Sequence, residues 1–302
     1  MRTNRLGSSE LQISEIGLGC MSLGTEEKPA LRIIHEALER GVNYLDTADL
    51  YDEGRNEELV GKAVRGRRSE VVLATKVGNR IVPGKPGWTW DASKSYIMSA
   101  VKESLRRLQT DYIDLYQLHG GTLDDPIDET IEAFEELQRQ GVIRYYGISS
   151  IRPNVIREYA VRSRIVSVMS QYSLLDRRPE ESVLDLLEQH NISMIARGPV
   201  AKGLLADGGL SKLKPDGYLD YTADELRPLL GKFAALPHEG SLAQTAIRFS
   251  LAHPAVASAI PGASTVEQLI HNVGAARLDE LRPDQIVQLK ELTKANVYTS
   301  HR

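Results

Sequence analysis

Short apolar runs alternate with amphipathic segments along most of this 302-residue chain. The runs are rich in Val, Ile and Leu and too short for helices, which predicts strands at 13–21, 42–45, 71–77, 112–119, 142–149, 165–172, 192–196 and 256–260. Between them, apolar residues recur at every third or fourth position, which predicts helices. These helices cover 29–41, 56–64, 93–108, 126–141, 154–162, 179–190, 241–252 and 264–273, and a further one covers 283–295.

The regular alternation of strand and helix predicts a parallel sheet, either an open doubly wound sheet or a closed (β/α)8 barrel. An open sheet that binds dinucleotides carries Gly-x-Gly-x-x-Gly after its first strand. Residues 17–22, Gly-Leu-Gly-Cys-Met-Ser, lack the third glycine. We therefore expect an α/β protein with a single-domain (β/α)8 TIM barrel over 1–302 and no inter-domain linker.

One segment, 203–240, interrupts this rhythm between the seventh strand and the next helix. It is rich in Gly, Asp and Lys and is longer than a barrel connection requires. Thr222 and Glu225 have the spacing of a capping box, which predicts one helix inside the segment. We interpret this long loop after strand seven as a lid.

Composition and charge exclude several classes of protein. Hydrophobic residues make up 41% of the chain, charged residues 26%, and the formal net charge is −4, so no basic excess exists for a nucleic acid partner. The single cysteine, Cys20, excludes an intrachain disulfide and a cysteine metal cluster, and we expect it to pack in the core. The chain has no apolar window of about 18 residues and no signal sequence, which predicts no membrane span. Together with the lone cysteine, these features predict a cytoplasmic protein.

Four reactive side chains follow three neighbouring predicted strands: Asp46 and Tyr51 after the second, Lys76 on the third and His119 on the fourth. Active sites of parallel barrels lie at the carboxyl ends of the strands, so we expect these side chains to converge. An ammonium near Tyr51 would lower the pKa of its phenol, and Asp46 would keep Lys76 charged. His119 would donate to a substrate oxygen or relay a proton. Together these residues predict a general acid. It would protonate a carbonyl oxygen when the carbonyl carbon receives hydride.

Other interpretations of these residues stay open from the sequence. Asp46 and Lys76 could form a structural ion pair, and His119 could be a hydrogen-bonded core residue. Lys76 could also be the Schiff-base nucleophile of a lyase, because barrels of this kind host lysine nucleophiles.

The sequence around these four residues resembles the aldo-keto reductase family. The matching motifs, within a match from about residue 6 to 272, are Asp-Thr-Ala-Asp-Leu-Tyr at 46–51, Leu-Ala-Thr-Lys at 73–76, Asp-Tyr-Ile-Asp-Leu-Tyr-Gln-Leu-His at 111–119 and Gly-Ile-Ser-Ser at 147–150. The resemblance implies a (β/α)8 barrel that binds NADPH across its strand ends and reduces small aldehydes or ketones. It also implies a catalytic tetrad of Asp46, Tyr51, Lys76 and His119, with Tyr51 as proton donor. Some relatives are channel subunits, so the alternative is an NADP-binding sensor or regulatory subunit with little turnover.

The resemblance further implies where the nicotinamide end of the cofactor binds. Ser149, Ser150 and Gln171 match residues that hold the nicotinamide carboxamide, and hydroxyls and amides suit that neutral group. Gly19 and Met21 match residues that line the ribose and nicotinamide. Ser150 stands where asparagine is frequent in the family.

Two further segments imply where the phosphate groups of the cofactor bind. Residues 198–205 resemble the segment under the pyrophosphate, and 260–265 resemble the adenosine 2′-phosphate site. We expect a helix to begin at Ser264, with Glu267 completing a capping box, and its free N–H groups would favour an anion. The candidate contacts of the two segments and of the helix are Arg197, Gly198, Pro199, Val200, Lys202, Gly203, Leu205, Ile260, Gly262, Ser264, Thr265, Gln268 and Asn272.

The chain departs from the family pattern at several of these positions. Arg197 stands where many members have an aromatic residue that stacks on nicotinamide; its guanidinium could stack instead or bind an acidic substrate. Gly120 and Gly121 replace a Trp-Pro pair, which weakens one wall of the substrate pocket. Ser264 and Gln268 replace basic residues that select NADP, so NADP rather than NAD is an expectation from the family.

Two tryptophans, Trp88 and Trp90, lie in the loop after strand three that is rich in Pro and Gly. They are candidates for an apolar substrate wall, with structural packing as the alternative. The sequence predicts no metal site, and it specifies neither the carbonyl substrate nor the oligomeric state.

Overall fold

A computed structural model of the chain describes residues 1–82, 84, 86–236 and 239–302. Its strands are β1 (Thr3–Arg5), β2 (Gln12–Ser14), β3 (Leu18–Gly19), β4 (Tyr44–Asp46), β5 (Val72–Val77), β6 (Asn79–Ile81), β7 (Trp88–Trp90), β8 (Ile113–Leu118), β9 (Ile143–Ser149), β10 (Ser167–Gln171), β11 (Ser193–Arg197) and β12 (Val256–Ile260).

Eight of these strands form one parallel sheet in the order β3, β4, β5, β8, β9, β10, β11 and β12. The edges of this sheet meet, because parallel bridges join Ile16 to Ala259 and Gly19 to Gly262. The N–H of Gly17 donates to the carbonyl of Ala259 at 3.0 Å across this seam. The structure confirms the predicted (β/α)8 barrel.

Helices connect the barrel strands and surround them. They are α1 (Glu27–Glu39), α2 (Arg55–Ala63), α3 (Lys94–Leu108), α4 (Ile127–Arg139), α5 (Pro153–Arg162), α6 (Val183–Gln189), α7 (Ala223–Ala235), α8 (Leu242–Ser250), α9 (Val266–Val273) and α10 (Pro283–Leu292). The hydroxyl of Ser93 caps α3, and Ser241 with Gln244 forms a capping box at α8. These caps satisfy backbone N–H groups that have no partner inside their helix.

Two apolar clusters stabilise the barrel. The inner cluster contains every second residue of the strands, for example Val72 and Ala74 of β5, while Leu73 and Val77 of the same strand belong to the outer cluster against the helices. Successive side chains of a strand point to opposite faces, so the inner and outer clusters alternate along each strand. The same alternation decides which polar side chains reach the interior at the strand ends.

The first predicted strand, 13–21, is divided in the structure. Residues of β2 pair antiparallel with β1, and the barrel strand itself covers Leu18–Gly19. Leu6, Leu11 and Ile13 of this hairpin are buried in the inner cluster, so the hairpin closes the amino-terminal end of the barrel. The prediction of one continuous strand was wrong because apolar alternation does not distinguish pairing within a hairpin from pairing within a barrel.

The predicted helix 179–190 is also divided. A 3₁₀ turn covers Arg178–Glu181, and α6 begins only at Val183. Ser182 between them has φ −163° and ψ −22°, which is not helical. The predicted lid contains α7, whose capping box of Thr222 and Glu225 is confirmed, while residues 237 and 238 lie outside the described part.

Within the described ranges, no helix combines the length and the apolar character that crossing a bilayer requires.

Two helical glycines give a matched test of packing. A Cβ on Gly61 of α2 would lie 2.4 Å from the carbonyl oxygen of Leu108, whereas a Cβ on Gly231 of α7 would meet nothing within 4 Å. We expect Gly61→Ala to lower the free energy of unfolding by about 1–3 kcal/mol despite its better helix propensity. Gly231→Ala should raise it by about 1 kcal/mol. Urea denaturation measures both, and stabilisation by Gly61→Ala would contradict the close approach of α2 and α3.

Candidate active site

Alternation along the strands places the predicted reactive residues inside the barrel mouth. Asp46 is two residues after the inner-cluster residue Tyr44, and Lys76 is two residues after Ala74. On β8, Leu115 belongs to the inner cluster and residues 117 and 119 share its side of the strand. These inward side chains at the carboxyl ends of β4, β5 and β8 meet at one site.

A buried ion pair lies at the centre of this site. Nζ of Lys76, which is 0% exposed, donates to Oδ1 of Asp46 at 2.6 Å, to the carbonyl of Thr47 at 2.7 Å and to the hydroxyl of Tyr51 at 3.2 Å. These three contacts use all three donors of the ammonium. Burial lowers the pKa of Lys76, but the Asp46 carboxylate and the Tyr51 oxygen more than offset it, so its pKa is raised. Lys76 is therefore a charged ammonium in contact with the phenol oxygen.

The carboxylate of Asp46 is held on both of its oxygens. Burial raises the pKa of Asp46, and the charge of Lys76 together with hydrogen bonds from Lys76 and Gln117 opposes this rise. Nε2 of Gln117 donates to Oδ2 of Asp46 at 3.1 Å. Gln117 lies inside the quoted motif at 111–119 but was not among the predicted site residues. Its inward position, two residues before His119, is the signal that identifies it.

The loop that carries Tyr51 is fixed by a tight turn. Asp52 and Glu53 have φ of 49° and 54°, and Gly54 follows with φ 88°. This left-handed stretch returns the chain into α2, and a Cβ on Gly54 would lie 2.7 Å from Cδ of Arg107. Glycine is required here because the backbone is left-handed and a side chain packs against it.

Two hydrogen bonds also connect this loop to neighbouring segments of the barrel. The hydroxyl of Thr47 donates to Oδ1 of Asn56 at 2.7 Å, and Nδ2 of Asn56 donates to the carbonyl of Cys20 at 2.8 Å. Thr47 is thus held with its carbonyl oxygen toward Lys76. Cys20 is buried, and burial raises the pKa of its thiol, as expected for a packing residue.

His119 completes the set as a neutral imidazole. Its ring meets that of Tyr51 edge to face, with centroids 5.9 Å apart and planes at 83°. Burial, and secondarily the charges of Lys76 and Arg197, lower the pKa of His119 from 6.5 to about 3. Nδ1 of His119 is buried and has no hydrogen-bond partner among the described residues. A neutral ring beside a phenol and an ammonium can donate one N–H to an oxygen bound between them.

The predicted nicotinamide residues lie at the next strand ends. Ser149 and Ser150 are buried at the end of β9, and Gln171 ends β10. Oε1 of Gln171 accepts from Nη1 of Arg197, the last residue of β11, at 3.1 Å. Gly19 of β3 is paired with Asp46 of β4 in the sheet. The structure therefore places these five polar and small residues around one rim.

Met21 lies near this rim but is 65% exposed, so it is available to a ligand rather than packed in the core.

The segment 198–205 after β11 has an irregular backbone. Gly198, Ala201, Lys202 and Gly203 have φ of 67°, 47°, 56° and 86°. The N–H groups of Ala201 and Gly203 donate to the carbonyls of Gly198 and Val200 at 2.9 and 2.8 Å, so backbone hydrogen bonds within the segment hold this turn. Pro199, Val200 and Leu205 belong to the same turn.

The helix α9, which was predicted to bind the adenosine phosphate of the cofactor, does not begin where the sequence predicted. The first residue of α9 is Val266, and the cap is Thr265, whose hydroxyl accepts from the N–H of Gln268. Ser264 instead donates its hydroxyl and its N–H to Oε1 of Gln268 at 2.9 Å each. The expected Ser264–Glu267 capping box was therefore wrong, because the chain turns into the helix one residue later.

The other residues predicted at the adenosine end lie close to α9. Asn272 donates to the carbonyl of Gly262 at 3.1 Å, and Ile260 ends β12 beside them. α9 thus begins six residues after the end of β12, and the anion site at its amino terminus stays a prediction.

The two tryptophans behave differently. Trp90 of β7 packs its ring over two glycines, since a Cβ on Gly78 or Gly120 would lie 2.6 or 3.0 Å from it. Its Nε1 donates to Oδ1 of Asp125 at 2.7 Å. Trp88 is 52% exposed. Trp90 thus occupies space beside the Gly120–Gly121 pair where the sequence predicted a weakened wall.

Asp125 directly precedes the predicted helix 126–141, where an aspartate is a common N-cap residue. Asp125 also accepts from the N–H and the hydroxyl of Thr122, at 2.7 and 2.9 Å. Pro126 is the N-cap residue of α4. Asp125 does not cap the helix because its carboxylate holds the preceding loop and Trp90.

The buried imidazole of His119 has a measurable effect on stability. Between pH 6.5 and about 3 the unfolded chain binds a proton at this residue that the folded chain does not bind, so stability falls as pH falls through that window. We expect His119→Gln to reduce the loss of unfolding free energy between pH 7 and pH 4 by about 3 kcal/mol. Urea denaturation at both pH values measures this. His190→Gln, at an exposed position, is the matched control, and equal losses in the His119 variant and the wild type would contradict the assignment.

Comparison with known proteins identifies the family of the chain. Residues 15–294 match the model of the Aldo/keto reductase family. The chain is 58% identical over 306 aligned positions to "Uncharacterized oxidoreductase YqkF" of Bacillus subtilis, with full coverage of both chains. The solved holo form of aldo-keto reductase AKR11C1 from Bacillus halodurans superposes with a TM-score of 0.94 at 57% identity, covering 100% of this chain and 99% of that one.

A more distant solved structure carries a cofactor. It is an aldo/keto reductase from Klebsiella pneumoniae in complex with NADP and acetate, 28% identical, with a TM-score of 0.78 and 98% coverage of both chains. Since the family model spans nearly the whole chain and these relatives align from end to end, the chain belongs to the aldo-keto reductase family of oxidoreductases.

Proposed function

We propose that the protein is an NAD(P)H-dependent reductase of aldehydes or ketones in which Tyr51 is the proton donor. The observation that carries this proposal is the contact of the charged Lys76 with both Asp46 and the Tyr51 oxygen, at 2.6 and 3.2 Å. The neutral ring of His119 borders the same phenol. This arrangement provides an acid for an oxygen that becomes negative.

Each residue would have one task in the reaction. When bound, a reduced nicotinamide would supply hydride to the carbonyl carbon, and the electron pair of the C=O π bond would move to the oxygen. The Tyr51 hydroxyl would give its proton to that oxygen, and the ammonium of Lys76 would stabilise the phenolate left behind. His119 would orient the carbonyl by donating an N–H to it. Water would then return a proton to Tyr51, so the net reaction consumes one hydride and one proton.

The residues at the strand ends fit such a cofactor. Ser149, Ser150 and Gln171 would hold the carboxamide with hydroxyl and amide groups. Lys202 and the turn at 198–203 would face the pyrophosphate, and the amino terminus of α9 would receive the adenosine phosphate. We propose NADP as the cofactor, supported by the NADP complex of the Klebsiella pneumoniae relative. Arg197, held by Gln171, would lie at the nicotinamide end.

The buried ammonium argues against the lyase alternative. A Schiff-base lysine must be neutral to attack a carbonyl. The three donors of Lys76 are used by a carboxylate, a carbonyl and a phenol, and its pKa is raised. The sensor alternative predicts cofactor binding without turnover, and the intact tetrad disfavours it.

The first test removes the proton donor. We expect Tyr51→Phe to lower kcat for an aldehyde panel by about 10²–10⁴-fold, because the acid is lost, while NADPH binding is retained. Absorbance at the reduced-nicotinamide band measures turnover, and fluorescence titration measures binding. Tyr112→Phe, at the amino-terminal end of β8, is the control for the same chemical change.

The outcomes of that test separate the two functions. Undiminished turnover by Tyr51→Phe would refute Tyr51 as donor. A wild-type protein that binds NADPH and oxidises it with none of the carbonyl compounds would favour the sensor.

A second test concerns the hydrogen bond from Gln117 to Asp46, which supports the Lys76–Asp46 ion pair. Gln117→Leu removes a donor from Oδ2 of Asp46, so the pKa of Asp46 should rise further. Protonated Asp46 no longer holds Lys76, and we expect the acid limb of the kcat/KM profile to move up by about one pH unit. Gln138→Leu on α4 is the control, and an unchanged profile would contradict this role of Gln117.

A further inference from the structure

The side-chain amide of Gln171 is held on both sides. Its Oε1 accepts from Nη1 of Arg197 at 3.1 Å, and its Nε2 donates to the hydroxyl of Tyr218 at 2.9 Å. A guanidinium has donors only, so the atom that faces Arg197 is the amide oxygen, and this fixes the direction of the whole amide. Each end keeps one free valence, an N–H on Nε2 and a lone pair on Oε1.

Tyr218 reaches this amide from the lid (203–240). It is only 7% exposed. Gly217 before it has φ 77°, and a Cβ there would lie 2.0 Å from the carbonyl oxygen of Tyr221. Tyr218 and Tyr221 exchange two backbone hydrogen bonds of 3.0 Å. The lid turn 217–221 is therefore tightly closed where it presents the Tyr218 hydroxyl to the barrel.

The C-terminal tail (293–302) holds this lid turn. The N–H of Lys294 donates to the hydroxyl of Tyr221 at 2.6 Å, and its Nζ donates to the carbonyl of Asp220 at 2.8 Å. Asn296 donates to Oδ1 of Asp220 at 2.7 Å and accepts from the N–H of Arg177 at 2.8 Å. Hydrogen bonds thus run from the tail through the lid turn to Gln171 at the rim of the active site.

The remaining N–H on Nε2 and the remaining lone pair on Oε1 of Gln171 fit a carboxamide ligand. It presents one carbonyl oxygen and one NH2 group, which pair with the remaining N–H and lone pair of an amide whose direction is fixed. We propose that Tyr218 is a positioning residue for the nicotinamide: it orients Gln171 from the lid, and the C-terminal tail holds it there. This inference rests on the proposed nicotinamide cofactor, and it adds a lid residue and the tail to the determinants of cofactor affinity.

The test measures NADPH binding by fluorescence titration, without turnover. Tyr218→Phe keeps the ring and removes the hydroxyl that accepts from Gln171, so NADPH should bind about five-fold more weakly. KM for NADPH should rise by a similar factor, while kcat at saturating NADPH stays unchanged. Tyr145→Phe is the matched control, because its hydroxyl accepts from the N–H of Glu10 at the far end of the barrel.

A double-mutant cycle distinguishes positioning from a general effect on the lid. In a Gln171→Ala background, Tyr218→Phe should cause no further loss of NADPH affinity. Lys294→Ala should weaken NADPH binding in the wild-type background and not in the Tyr218→Phe background. Thermal unfolding of each variant shows whether the fold is kept.

Each outcome of these binding measurements supports or overturns one part of the proposal. Unchanged NADPH affinity in Tyr218→Phe, or the same loss in the presence and absence of Gln171, would overturn the role of Tyr218 and leave the proposed reductase intact. Unchanged affinity in Lys294→Ala would overturn the part assigned to the tail. A wild-type protein that binds no NADPH would overturn the proposed function itself, and this inference with it.

Discussion

The site depends on one interaction, the buried ion pair between Lys76 and Asp46. A lone ammonium with no exposure to water would lose its proton, and a lone buried carboxylate would gain one. Each keeps its charge only because the other lies 2.6 Å away and because a backbone carbonyl, a phenol and an amide satisfy the remaining valences. A pair of this kind is costly to bury and costly to break, so the structure around it must be rigid.

The barrel supplies that rigidity through its geometry. Neighbouring parallel strands bring Asp46, Lys76 and Gln117 to adjacent positions, and the alternation of side chains turns all of them inward. The apolar inner cluster fills the space below them and excludes water from the ammonium. The same alternation directs Gln171 and Arg197 to the rim, where the environment is more open and polar groups remain available for a ligand. Charge is therefore concentrated at the bottom of the site and hydrogen-bonding capacity at its edge.

Segments outside the barrel complete the site at its rim. Trp90, on the short hairpin of β6 and β7, packs over the glycines at the ends of β5 and β8. The lid and the C-terminal tail approach the opposite side, at Gln171. These outer segments contact the rim and not the buried charges. In (β/α)8 barrels generally, the scaffold holds the buried residues and the loops at the carboxyl ends of the strands build the mouth of the site.

The sequence by itself determined the order of strands and helices and the barrel. It also determined that Asp46, Tyr51, Lys76 and His119 lie together. It could do so because apolar periodicity is a local property and because the carboxyl ends of parallel strands must meet. It did not reveal the N-terminal hairpin, because apolar alternation does not show which strand a segment pairs with, and it did not reveal the break at Ser182. It placed the start of α9 too early, because Ser264 and Thr265 are both residue types that cap helices. The contacts of Gln117, Asn56 and Tyr218 were decided only by the tertiary structure. Their side chains act through hydrogen bonds to residues between 9 and 71 positions away in the chain, and no spacing rule encodes such contacts.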